Sequence, residues 1–236
     1  MTSLEYIGRN LAAVQERIAA ACRRAGRDPS EVTLVAVSKT VGAAEVLAAY
    51  RAGVRHFGEN RVEEALPKIA EVAGLLRGAP VPTWHMIGHL QRRKVRDAMP
   101  AFALVHSVDS VDLAREIDKR CEPQGKVMPI LLEVNVSGEA SKYGFAPADA
   151  PAAVEQILTL PRLELRGLMT MAPIVPAPEA ARPYFRALRQ LRDDLARRYP
   201  AVAWRELSMG MTDDFEPAVE EGATLVRIGR AIFNPA

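Results

Sequence analysis

Lys39 closes the run Leu34-Val35-Ala36-Val37-Ser38-Lys39, in which four apolar residues precede a serine and a lysine. That run is the pattern of a strand buried on both faces, as in parallel sheets covered by helices. An ammonium at the C-terminal end of such a strand has two fates. Partial desolvation disfavours its charged form, lowers its pKa and frees a nucleophilic amine, the requirement for a Schiff base with an aldehyde. A long cationic side chain also reaches water readily, and Lys39 would then simply leave the sheet. Two later stretches bear on the choice. Leu207-Ser208-Met209-Gly210-Met211-Thr212 puts a hydroxyl and a small flexible turn after a strand. Asp213, Asp214 and Glu216 then fall in a first helical turn, where the dipole favours acids. Val226-Arg227-Ile228-Gly229-Arg230 reads as a strand and its exit, with a glycine that lets backbone N–H groups approach an anion. Either turn alone is ordinary. Together they describe an anion site facing a strand-end lysine.

The elements that must position these residues alternate along the chain. Residues 4–22 predict an amphipathic helix, because Leu4, Ile7, Leu11, Val14, Ile18 and Cys22 step by three and four. Strands are expected at 34–37, 54–57, 84–87, 103–106, 130–136, 163–169, 204–208 and 224–228, the fifth being the longest. Helices fall between them, one carrying Pro67, which should kink or split it. Strand–helix alternation implies a parallel sheet. Eight units in 236 residues favour a closed TIM (β/α)8 barrel over an open doubly wound sheet. No linker or composition break divides the chain, so residues 1–236 read as a single domain. The N-terminal helix is extra and is expected to cover the barrel's lower end. In a barrel the working rim lies where strands end. Those exits are Lys39, Asn60, Gly88, Ser107, Asn135, Thr170, Ser208 and Arg227.

Composition narrows the function. Apolar content of 49%, charged content of 25% and a net charge of +2 are those of a soluble globular protein, with no argument for nucleic acid or a membrane surface. No apolar run reaches transmembrane length, and the N-terminus lacks a signal-peptide pattern. Cys22 and Cys121 read as buried small residues or free thiols rather than a bridge, consistent with a reducing cytoplasm. His56, His85, His89 and His106 lack metal-ligand spacing, and His85 beside Trp84 reads as packing or a supporting hydrogen bond. The basic run 92–96 reads as a solvated helix face, with nucleic-acid binding the sharper alternative. Met169, Met171, Met209 and Met211 read as pocket and core filling.

Seven ordered motifs then carry a resemblance. They are Val37-Ser38-Lys39-Thr40, Phe57-Gly58-Glu59-Asn60, Trp84-His85-Met86-Ile87-Gly88, His106-Ser107-Val108-Asp109, Val134-Asn135-Val136-Ser137-Gly138-Glu139, Leu207-Ser208-Met209-Gly210-Met211, and the run from Val226 to Phe233. Over almost its whole length the chain resembles the pyridoxal phosphate homeostasis protein family, single-domain relatives of the alanine racemase N-terminal barrel. The resemblance implies a TIM barrel holding pyridoxal 5′-phosphate. It implies that Lys39 forms the internal aldimine and that Arg227 faces the pyridine nitrogen. Ser208, Gly229 and Arg230 match phosphate-binding positions, the last two mainly through backbone N–H groups, and Asn60 matches a pocket residue near the ring. Arg93, Thr212 and Asn234 depart from the family's frequent asparagine, serine and glycine, and none of the three touches the lysine.

Three functions are therefore in play. The leading one is a non-catalytic cytoplasmic protein that holds pyridoxal phosphate reversibly, takes part in vitamin B6 homeostasis and passes the cofactor to apo-enzymes. The second is an amino-acid racemase of low activity. The third is a barrel holding another phosphorylated ligand without a covalent bond. Length favours the first over the second. Alanine racemases carry a second β-rich domain that supplies a tyrosine base, and this chain ends eight residues after Ile228. Two-base racemisation needs proton donors on both faces. Tyr143 is the only tyrosine suspected of that role, and a loop anchor is its plainer reading. The sequence leaves open a monomer or a weak dimer.

Overall fold

Buried strands and amphipathic helices alternate and close on themselves in the computed structural model, which describes residues 4–235. The strands are β1 (Thr33–Val37), β2 (His56–Glu59), β3 (Thr83–Met86), β4 (Leu104–Val108), β5 (Met128–Glu133), β6 (Leu163–Met169), β7 (Glu206–Met211) and β8 (Leu225–Ile228). They pair in chain order, all parallel, and β8 pairs with β1 to close a barrel. Helix α1 (Glu5–Arg24) precedes β1. After successive strands come α2 (Ala43–Arg51), α3 (Val62–Leu76), α4 (Val95–Ala98), α5 (Val111–Cys121), α6 (Ala150–Ile157), α7 (Arg182–Arg198), α8 (Phe215–Glu220) and α9 (Arg230–Phe233). Among the described residues, no helix is long and apolar enough to cross a membrane. Cys22 and Cys121 are free and buried.

Side-chain alternation separates two apolar layers. Ala36, Phe57, Trp84, Val105, Ile130, Leu168, Leu207 and Val226 join the large core between strands and helices. The alternate positions Val35, Leu104, Leu131, Met169 and Leu225 form a smaller cluster of their own, inside the barrel. By the same alternation His56, His85, His106, Glu133, Ser208 and Arg227 also face inward. This interior is therefore half polar, unlike the branched apolar filling usual in such barrels.

Several local expectations are corrected. Helix α1 buries Ile7, Leu11, Val14, Ile18, Ala21 and Cys22, but it does not cap the lower end. It packs against α2, α8 and α9 in the outer ring. The reason is that α9 is a single turn, too short to cover β8, so α1 fills that place. Tyr6 and Asn10 anchor it by donating to the Phe233 and Ile232 carbonyls at 3.1 and 3.2 Å. Of the kink or split expected at Pro67, the split is absent: helix α3 continues from Val62 to Leu76. The ring removes one bond in the second turn, while buried Val62, Ala65 and Val72 hold the helix to the barrel. The basic stretch, expected as one helix, is a 3-10 turn, Arg92–Lys94, leading into the one-turn α4. The longest strand is β6, not the fifth. Strand β7 continues to Met211, so Ser208 lies within it rather than at its end. Asp213 and Asp214 precede α8, leaving only Glu216 in its first turn.

Candidate functional site

The site is built where β8 meets β1. Arg227 lies in β8, points into the barrel and is 4% exposed. Its Nη1 donates to Ser208 Oγ at 2.6 Å and its Nη2 to the Thr170 carbonyl at 2.9 Å. Burial lowers its pKa to about 10, opposed by the charges of Glu133 and Asp214, so the guanidinium stays charged at neutral pH. Gly229 follows at the exit, where a Cβ would sit 3.0 Å from the Val37 carbonyl oxygen. That close approach seats the start of α9 against the end of β1. The Arg230 side chain is exposed and pairs with Asp213, tying the β8 exit to the β7 exit.

Lys39 stands two residues beyond β1 and is exposed. The residue before it is held firmly. Ser38 is fully buried, and its Oγ donates to Glu59 Oε1 at 2.6 Å. Lys68 of α3 donates to that same oxygen at 2.9 Å and to the Ser38 carbonyl at 2.6 Å. Glu59 Oε2 is buried without a partner. Asn60 is half-buried just past β2, and its carbonyl would lie 2.4 Å from a Cβ on Gly88. The glycine lets the β2 and β3 exits touch.

The remaining exits are mostly tied to one another. Ser107 donates to the Gly88 carbonyl at 2.6 Å, and Thr170 Oγ1 to the Val134 carbonyl at 2.7 Å. Asn135 organises its own loop, accepting from Gly138 N at 3.0 Å and donating to the Glu139 carbonyl at 2.9 Å. Tyr143 stacks on His89 with ring centroids 3.9 Å apart, and His89 Nδ1 lies 2.8 Å from Asp109 Oδ2. Tyr143 thus anchors the β5 loop to the β3 exit. Glu133, at the end of β5, has its carboxyl raised to about 7, first by burial and then by Asp109.

The chain is matched by the model of the alanine racemase N-terminal domain over residues 9–235. An Aquifex aeolicus relative named pyridoxal phosphate homeostasis protein is 46% identical over 224 residues, covering 95% of this chain and 96% of that one. The chain belongs to the pyridoxal phosphate homeostasis protein family. Two solved structures are similar to it. PipY of Synechococcus elongatus, solved with PLP bound, has a TM-score of 0.83 and 38% identity, covering 97% of this chain and 100% of that one. A protein of unknown function from Bifidobacterium adolescentis has a TM-score of 0.91 and 40% identity, covering 98% and 95%.

Within this family barrel, Lys39, Asn60, Arg227 and Gly229 come from the exits of β1, β2 and β8, which are neighbours in the sheet. Ser208, expected at the end of its strand, lies within β7. It is fully buried inside the barrel, and its Oγ is engaged by Arg227 and, at 2.8 Å, by His106 Nδ1. Two features were not anticipated as part of the site. One is the Glu59–Ser38–Lys68 contact, whose only sequence signal is an acid inside a buried strand, a position that demands a cation. The other is a chain of histidines beneath Arg227. His106 Nε2 lies 2.9 Å from His85 Nδ1, and His85 Nε2 lies 3.0 Å from His56 Nδ1. Its signal is a histidine at an inward position on each of β2, β3 and β4.

Proposed function

We propose that this chain, residues 1–236 acting as one domain, holds pyridoxal 5′-phosphate covalently and reversibly in the cytoplasm and so takes part in vitamin B6 homeostasis. The donor set fits that group: an open amine at the β1 exit, a buried guanidinium pinned on the neighbouring strand β8, and a glycine that leaves the start of α9 bare. Bound there, pyridoxal 5′-phosphate supplies an aldehyde that condenses with a primary amine. Lys39 provides the amine, and its exposure suits exchange with water and incoming amines. Gly229 and Arg230 offer backbone N–H groups to the phosphate. Asn60 borders the ring. Ser208, matched to a phosphate-binding position, also holds Arg227 through its hydroxyl. The observation that carries the reading is Arg227. A fixed guanidinium presents a donor that does not give up its proton, so a ring nitrogen facing it stays unprotonated and is a poorer electron sink.

That same feature argues against efficient racemisation. So does Lys39's openness to water, which weakens the electrostatic help a closed site provides. Tyr143, stacked on His89, serves the loop. The homeostasis names of the relatives support a role other than turnover, and delivery of the cofactor to apo-enzymes completes the proposal. The test is the visible spectrum of the protein with pyridoxal 5′-phosphate, followed by borohydride reduction and peptide mapping. The expected result is a visible band and a reduced adduct on Lys39, both lost in Lys39→Ala. An adduct on Lys142 instead would remove the assignment. With L-alanine in deuterated water, D-alanine formation at roughly 1 per second or faster would favour the racemase reading, provided Lys39→Ala abolishes it.

A further inference from the structure

Arg227 ends a hydrogen-bonded chain that crosses the barrel interior through Ser208, His106 and His85 to His56, with links of 2.6, 2.8, 2.9 and 3.0 Å. The cation fixes the first link, and one direction for the rest uses every donor in turn. Arg227 can only donate, so Ser208 Oγ accepts from it, and the arrangement that also uses the hydroxyl proton within the chain sends that proton to His106 Nδ1. His106 then carries its proton on Nε2 and gives it to His85 Nδ1. His85 does the same to His56 Nδ1, which leaves the outer proton on His56 Nε2. All three rings are neutral in this arrangement. His106 is fully buried beside Arg227, which keeps it neutral, and His85 is buried between two other rings. His56 is half-buried beside Glu206 and borders a cavity of about 410 Å³ at the barrel's lower mouth, lined also by Pro29, Thr33 and Arg55.

We propose that His106 and His85 are positioning residues for Arg227: with Ser208 they form a one-way relay of neutral imidazoles that locks the guanidinium in a single orientation beneath the rim. The relay deepens the cofactor-holding reading and rests on it for its consequence at the ring nitrogen. The lock itself belongs to this chain's own side chains. Without an acceptor at the His106 Nδ1 position, the Ser208 proton loses its partner. The hydroxyl is then free to rotate, and the oxygen that accepts from Arg227 is no longer held in one geometry, leaving the Thr170 carbonyl as the fixed partner.

The decisive measurement uses the ligand-free wild-type protein. Ring-nitrogen NMR on ¹⁵N-histidine-labelled protein should show His56, His85 and His106 neutral at pH 8 and protonated on Nε2. Side-chain NMR should show the Arg227 guanidinium protons resolved, as for a group in restricted rotation. A proton on Nδ1 of His85 or His106 overturns the relay. So does a freely rotating guanidinium. With pyridoxal 5′-phosphate added, His106→Leu and Ser208→Ala should shift the absorption maximum and weaken binding about tenfold. His106→Asn, which restores an acceptor near the Nδ1 position, should recover most of both. Unchanged absorption in a folded His106→Leu protein overturns the proposal. If wild type fails to bind the cofactor, the functional reading fails, while the NMR result still decides the relay.

Discussion

Lys39 owes its setting to neighbours rather than to burial. Its side chain is exposed, and rigidity comes from Ser38, whose hydroxyl and carbonyl are both engaged. Behind Ser38 lies the ion pair of Lys68 and Glu59, with the glutamate fully buried. Breaking a buried pair from one side strands a charge, which costs about 3–5 kcal/mol. Lys68→Met should therefore lose that much stability in urea unfolding. Adding Glu59→Gln to Lys68→Met should recover most of it, since no charge is then left behind. If the single variant is as stable as wild type, Glu59 is not held as an anion by Lys68.

At the scale of elements, the site depends on how close adjacent exits can come. Gly229 lies against the Val37 carbonyl, with a Cβ distance of 3.0 Å that leaves no room for a branched side chain. Gly229→Val should push α9 away from β1 and so withdraw the N–H groups proposed for the phosphate. Affinity for pyridoxal 5′-phosphate should then fall about tenfold or more, and pyridoxal, which lacks the phosphate, should lose much less. Fluorescence titration with both ligands distinguishes the two, and equal losses would place the phosphate elsewhere.

For the whole molecule, the polar barrel interior shapes stability against pH. His85 is held neutral down to about 3, against an ordinary 6.5, first by burial and then by His56. Below pH 6.5 the unfolded chain takes up a proton that the folded one refuses. This contribution is complete above pH 6.5 and disappears as pH falls toward 3, about 5 kcal/mol in all. Glu133 acts with the opposite sign. Its folded value of about 7 lies above the ordinary 4.5, so the folded state keeps a proton the unfolded state releases. Stability is complete below pH 4.5 and declines as pH rises through 7, by about 3 kcal/mol. Urea unfolding of the ligand-free protein from pH 4 to 8 should show both slopes. Glu133→Gln should flatten the neutral side and exceed wild type at pH 8. A neutral slope unchanged in Glu133→Gln would mean that Glu133 is ionised in the folded state.

Much of this was legible in the chain itself, for a physical reason. Burial on both faces writes continuous apolar strands, and one-sided burial writes helical stripes, so the β/α alternation and the closed barrel followed from hydrophobic patterning. Lys39, Arg227 and Gly229 were visible because strand ends in a barrel share a rim. Patterning could not show what a side chain touches across the barrel. Ser208 reads as the last residue of its strand because Met209-Gly210-Met211 resembles a flexible exit, yet pairing with β8 extends the strand through Met211. His106 and Ser208 are separated by 102 positions and meet only because β4 and β7 face each other across the closed sheet. Helix α1 carries the same apolar stripe wherever it packs, and only the shortness of α9 decided that it would complete the outer ring. Local periodicity thus determined the elements and the rim. Closure of the barrel decided which inward polar groups become partners, and with them how Arg227 is held.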